Sequence, residues 1–122
     1  MPRTAVSRPT GLRIRIVLRP GIAFGPGKAD LLAAIADTGS LAKAAKRFAM
    51  SYKRAWTLVR EMNDAFAKPL VETEKGGSGG GGGASLTPLG KRILDRYREM
   101  ESDAARAMRD GIADLRRHLK KK

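Results

Sequence analysis

Apolar and polar residues change their period several times along this chain. Leu12, Ile14, Ile16 and Leu18 alternate with Arg13, Arg15 and Arg19. Period two over Leu12 to Arg19 predicts a half-buried strand with one wet, basic face. Pro20 to Gly27, rich in glycine and proline, reads as a loop. From Lys28 to Thr38 the spacing becomes helical, burying Leu31, Leu32 and Ile35, and Gly39 ends the helix. Ser40 can cap a second helix, Leu41 to Phe48, whose Ala44 and Ala45 allow another helix to come close. Ala49 and Met50 form a turn, and Ser51 can cap a third helix running from Tyr52 to about Phe66. On that helix Tyr52, Ala55, Trp56, Val59, Met62 and Phe66 follow the core spacing. Lys53, Thr57, Arg60 and Asp64 share the opposite side.

Pro69 stops further helix, and Leu70 to Thr73 is a short strand. Seven of the eight residues from 76 to 83 are glycine, and Ala84 to Leu86 forms a second short strand. Thr87 caps the last helix with Pro88 at its first position. This helix carries Leu89, Ile93, Tyr97, Met100, Ala104, Met108, Ile112, Leu115 and Leu119 at steps of three and four. Its expected length is roughly 30 residues, or about 45 Å, with Gly111 as a fray or kink point. No internal repeat is present.

A short helix, a tight turn and a helix with a basic outer face form the grammar of a helix-turn-helix. The fold class expected is mainly α with a small β wing: a winged helix-turn-helix with a long C-terminal dimerisation helix. Residues 1–11 form a flexible basic arm, 12–87 the winged domain, and 88–122 the dimerisation helix with its basic tail. A domain of this size cannot cover so long an apolar stripe. The distal part is therefore expected to pair with its copy through Tyr97, Met100, Ala104, Met108, Ile112 and Leu115. A solvated, fraying tail after Arg109 is the alternative.

Composition narrows the partner. The 122 residues hold 25 Lys+Arg against 12 Asp+Glu, a formal charge of +13. Such an excess attracts phosphate polyanions and costs self-repulsion in the compact state. Double-stranded DNA is the expected partner; an anionic membrane surface is the weaker alternative, and no apolar run reaches the length of a membrane span. There is no cysteine, which fits a reducing cytoplasm and excludes disulfides and thiolate metal sites. The one histidine, His118, lies in the basic tail. No metal site and no cofactor are implied. Met1 to Gly11 lacks the apolar stretch of a signal peptide, and Pro2 and Pro9 oppose a presequence helix. A cytoplasmic, nucleoid-associated protein is expected.

An α-helix fits the major groove, with its N-terminal residues reaching base edges. Arg54 or Lys53 could offer the donor pair that guanine O6 and N7 accept, while Ser51 and Thr57 suit phosphate or thymine-edge contacts. Tyr52 can either pack inward or offer its hydroxyl to a phosphate. The spacing assigns Trp56 to the inner face. Ser40, Lys43 and Arg60 complete the helical part of the expected DNA-binding set. The glycine run cannot be a nucleotide-binding P-loop, because no Lys-Ser or Lys-Thr follows it. It reads as an artificial linker or as a hairpin tip, and its place between two strands favours the tip. Lys75, Gly76, Gly77 and Ser78 would then approach the backbone or minor groove. Asp30, Asp37, Glu61 and Asp64 are scattered over amphipathic helices, so no catalytic constellation forms and an enzyme is not expected.

The strings G-S-L-A-K-A-A-K (Gly39–Lys46), M-S-Y-K-R-A-W (Met50–Trp56), E-M-N (Glu61–Asn63) and P-L-V-E (Pro69–Glu72) then carry a family resemblance. It continues through G-G-S-G-G-G-G (Gly76–Gly82) and L-T-P-L-G (Leu86–Gly90). Together they resemble the N-terminal domain of the molybdate-responsive ModE-type transcription regulators, which are LysR-like winged helix-turn-helix proteins. The likeness covers roughly Leu12 to Ala105 and argues that the glycines are native. It implies a dimeric DNA-binding repressor or activator. Ser51, Tyr52, Lys53, Arg54 and Thr57 would lie on its recognition helix, Lys75 to Ala84 would form its wing, and its last helix would pair subunits. In that family C-terminal domains bind the oxyanion. Nothing from Asp103 to Lys122 could build such a pocket, which puts direct molybdate binding in doubt. Two other readings stand beside a sequence-specific regulator. One is a nonspecific nucleoid or architectural protein using the arm, Arg13, Arg15 and Lys120–Lys122. The other, from family analogy alone, is a small oxyanion-binding or storage protein.

Overall fold

The computed structural model describes residues 11–74 and 83–122. The basic arm through residue 10 and the wing tip, with Lys75, Gly76, Gly77 and Ser78, lie outside the described residues. The element order is β1 (Ile16–Arg19), β2 (Ile22–Phe24), α1 (Pro26–Thr38), α2 (Leu41–Arg47), α3 (Tyr52–Ala65), β3 (Val71–Thr73), β4 (Ala84–Leu86) and α4 (Pro88–Arg117). Helices α1 to α3 enclose one core in which Leu31, Leu32, Ile35, Met62 and Leu70 are the largest fully buried side chains. The architecture is the expected one: mainly helical, with a small β wing and a long final helix.

The first strand departs from expectation. Only Ile16–Arg19 joins a ladder, and its partner is β2, inside the segment read as a loop. Pro20 and Gly21 make the turn, with Gly21 at φ 84, where a side chain would be strained. Leu12 and Ile14 keep the alternating burial without a partner strand, because β2 ends at Phe24 and α1 begins two residues later. A register shift between Val17 and Arg19 turns Leu18 outward, and it is 54% exposed. Helix α1 starts at Pro26 rather than Lys28, since proline at the first helical position costs no hydrogen bond.

The other boundaries lie within a residue or so of expectation. Gly39 ends α1 at φ 70, and its amide donates to the Ile35 carbonyl oxygen. Ser40 and Ser51 accept from the amides of Lys43 and Arg54, capping α2 and α3. Ala49, at φ 53, makes the bend between them, and the Met50 amide donates back to the Ala45 carbonyl. Ala44, Ala45 and Ala55 are buried, so α2 and α3 meet through methyl groups. The wing is antiparallel, pairing Val71 with Leu86 and Thr73 with Ala84, and an isolated bridge joins Ser40 to Gly83. Helix α4 continues through Gly111.

The start of α4 is held to the wing at very short range. Thr87 Oγ1 donates to the Pro69 carbonyl at 2.7 Å and accepts from the Gly90 amide at 2.9 Å. The Thr87 amide donates to the Leu70 carbonyl at 2.9 Å. A Cβ on Gly90 would sit 3.0 Å from the Leu70 carbonyl carbon and closer still to its oxygen. Both sides of that contact are backbone, so neither can swing away. Gly90→Ala is therefore expected to destabilise the fold by about 3 kcal/mol or more in thermal or denaturant unfolding, at the upper end for overpacking.

Two turns further along, Tyr97 is 3% exposed. Its ring stands edge-on to Phe24 with centroids 5.1 Å apart, and its hydroxyl donates to the Ile14 carbonyl. Tyr97 was expected at the subunit seam; it instead ties α4 to the N-terminal segment and β2 of its own chain. The reason is that β2, unforeseen in the sequence, supplies Phe24 as its partner. Burial, with a smaller contribution from Glu101, pushes the Tyr97 pKa up to about 12. A folded-state pKa above the unfolded value of about 10 gives stability that is fully present below about pH 10. It is lost as pH rises through about 12. Denaturant titrations between pH 9 and 12 should show that loss in the parent and not in Tyr97→Phe.

Candidate nucleic-acid interface

Helix α3 sets the site by the way it divides its surface. At about 100° per residue, the buried arc runs from Leu58 through Met62 and Ala55 to Val59. Leu58 belongs to this arc, although the sequence reading had not placed it there. Trp56 falls about 60° beyond Val59 and is 45% exposed, which corrects its expected place in the core. Tyr52, Lys53, Arg54 and Arg60 are exposed, and Thr57 is half-buried. The Arg60 guanidinium lies over the Trp56 ring, 5.4 Å from its centroid.

The cations at the start of this surface stand without ion pairs. Among the described residues, no acid lies within ion-pair distance of Lys43, Lys46, Lys53, Arg54 or Arg60. The acids pair elsewhere: Asp37 with Arg47, Glu61 with Lys28, and Asp30 with Arg98. Burial works against the Arg98 charge, but hydrogen bonds to Asp30 and Glu101 outweigh it and raise its pKa further. That network clamps α4 to α1, while Asp64 stays exposed at the C-terminal end of α3.

The expected site residues fall into two groups. Lys43, Tyr52, Lys53, Arg54 and Arg60 present free side chains on or beside α3. Ser40 and Ser51 spend their oxygens as caps, and the Thr57 hydroxyl donates to the Lys53 carbonyl at 2.9 Å. Of the residues expected at a subunit seam beyond Tyr97, Met100, Met108 and Leu115 are exposed, while Ala104 and Ile112 are half-buried.

Asn63 had no assigned role in the sequence reading. Its Oδ1 accepts from the amides of Leu70 at 2.8 Å and Val71 at 3.1 Å, and its Nδ2 donates to the Val71 carbonyl at 3.1 Å. One side chain thus imitates a strand and fixes α3 to the first strand of the wing. The only trace in the sequence is an amide side chain shortly before Pro69. Asn63→Ala leaves two partly buried amides without these partners and should cost about 2–4 kcal/mol in unfolding free energy. Asn63→Asp, which keeps both acceptor bonds, should cost less.

Residues 28–91 match the family described as bacterial regulatory helix-turn-helix protein, lysR family. The chain belongs to this family. It is 40% identical over 93 residues to the molybdenum-pterin-binding protein MopB of Rhodobacter capsulatus, covering 76% of this chain and 34% of that protein. It is 44% identical over 72 residues to the DNA-binding transcriptional dual regulator ModE of Escherichia coli (strain K12), covering 59% and 27%. A 37% identical stretch of 92 residues relates it to the transcriptional regulator ModE of Haemophilus influenzae, covering 75% and 36%. The chain therefore spans about a third of the length of these curated relatives, and the match lies in their N-terminal region, as the resemblance in the sequence implied. Among solved structures, full-length CbnR complexed with its target DNA aligns with a TM-score of 0.54 at 24% identity, over 71% of this chain and 28% of that one. That likeness shows the fold. The ModE relatives are regulators rather than enzymes, in line with the missing catalytic constellation. Among the described residues, no helix is long and apolar enough to cross a membrane.

Proposed function

We propose that this chain is a dimeric, sequence-specific DNA-binding transcription regulator that works on the nucleoid in the cytoplasm. The observation that carries it is the exposed face of α3, where Lys53, Arg54 and Arg60 stand without acidic partners on a helix capped by Ser51. A helix of this kind enters the major groove with its first turns against base edges. Lys43 and the capped start of α2 then face the phosphates beside that groove. The wing, closed by the Glu74 amide donating to Gly83 at 2.8 Å, would bring its glycine-rich tip, with Lys75, Gly76, Gly77 and Ser78, to the backbone or minor groove. The ModE and CbnR likenesses support the choice of double-stranded DNA.

Dimerisation rests on the far half of α4. Met100, Met108 and Leu115 are 41%, 47% and 70% exposed along one stripe of α4, more apolar surface than a solitary helix leaves in water. A second copy covers it most simply, with the seam beginning beyond Tyr97. Two α3 helices in successive major grooves place half-sites about 34 Å, or roughly 10 base pairs, apart. Direct molybdate binding forms no part of this proposal.

Selection of bound duplexes from a random library at near-physiological salt tests the reading. Enrichment of a palindrome with one-turn half-site spacing is expected. Retention of DNA without any enriched sequence would replace it with the architectural alternative, in which charge alone holds the duplex and affinity falls steeply with salt. Arg54→Ala, whose side chain is exposed, should weaken binding to the enriched duplex by about 1–3 kcal/mol while leaving the melting temperature unchanged. Equal affinity of parent and variant would show that another face of α3 meets the bases.

A further inference from the structure

The indole of Trp56 is 45% exposed and stands outside the buried core cluster. It stands on a capped helix, flanked about 40° to one side by Tyr52 and about 40° to the other by Arg60. Tyr52 is 54% exposed, so an aromatic strip opens to solvent within a basic surface. Keeping a tryptophan half in water forgoes its burial energy, and here the indole also orients Arg60. The guanidinium lies over one side of the ring, a contact that favours this direction over its other rotamers. What remains open is an apolar rim beside an oriented cation.

Building on the DNA-binding reading above, we propose that Trp56 is a specificity-determining residue that packs against the C5-methyl group of a thymine. Arg60, held on its ring, meets the adjoining phosphate. The thymine methyl is the apolar group that base edges present in the major groove, and it distinguishes T·A from the other pairs there. A donor such as Lys53 or Arg54 cannot read that methyl; an indole edge can. The cation–π contact adds a second effect, since a guanidinium oriented before binding loses less freedom when it meets a phosphate. Trp56 thereby couples base readout to backbone positioning on one flank of α3.

The test uses the full chain and the duplex enriched from the random library. Each thymine of that duplex is replaced singly by deoxyuridine, which removes only the methyl group. For the parent, one uracil position in each half-site should weaken binding about fourfold, the worth of roughly one buried methyl. For Trp56→Ala that position should have no effect, while the remaining positions keep theirs. Trp56 is the only tryptophan in the chain, so its fluorescence should also change on binding the enriched duplex and less on a scrambled one. Trp56→Ala also gives up the covered half of the indole, so the two proteins are compared under conditions where unfolding curves show both fully folded, which separates readout from folding. A duplex whose uracil profile is the same for parent and Trp56→Ala would overturn this inference and leave the regulator reading intact. Failure of any duplex to be enriched would overturn both.

Discussion

Everything else in this molecule depends on how closely the first turn of α4 lies against the chain entering the wing. Gly90 has no Cβ, and the Leu70 carbonyl occupies the space one would fill. Around this contact Thr87 binds the Pro69 and Leu70 carbonyls, and Asn63 binds the amides of Leu70 and Val71. One glycine, one threonine and one asparagine thereby fix α3, the wing and α4 in a single arrangement. Short hydrogen bonds over a few residues are directional and hard to satisfy in a second geometry, so the three elements move as one. Any side of α3 offered to a duplex is offered at a set angle to the wing. In the proposed dimer it is also set relative to the helix that pairs the subunits.

A second consequence follows for charge. Two acids of α1 are taken up in ion pairs: Arg98 bridges Asp30 and Glu101, and Arg47 meets Asp37. Exposed pairs of this kind stabilise a fold only slightly. Their larger effect is to leave Lys53, Arg54 and Arg60 without acidic partners, although Glu61 and Asp64 lie further along the same helix. Beside those three the tryptophan is the exception: an apolar ring among cations, used as a platform by one of them.

Much of this was legible because helices announce themselves locally. Ser40, Ser51 and Thr87 each precede a helical period and each caps it. Gly39 closes α1 in the left-handed conformation that a glycine favours, and Pro88 opens α4. The β1–β2 hairpin was missed because Pro20–Gly21 was read as part of a glycine- and proline-rich loop, although that dipeptide is itself a turn signal between two apolar runs. That error passed to Tyr97, whose partner Phe24 lies on the missed strand. Trp56 was misplaced by a narrower margin: a period of three and four residues cannot separate the edge of a buried arc from the solvent beside it.

By itself the sequence determined the helix-turn-helix, its caps and turn, the position of the wing strands and the length of α4. Each rests on contacts between residues a few positions apart, which local propensity and periodicity encode. Tertiary structure alone decided that Asn63 would span from α3 to the wing, that Gly90 would admit the Leu70 carbonyl, that Tyr97 would turn inward, and that Trp56 would stand in solvent beneath Arg60. These depend on which surfaces meet, and surfaces meet in three dimensions between segments whose spacing along the chain carries no record of their approach.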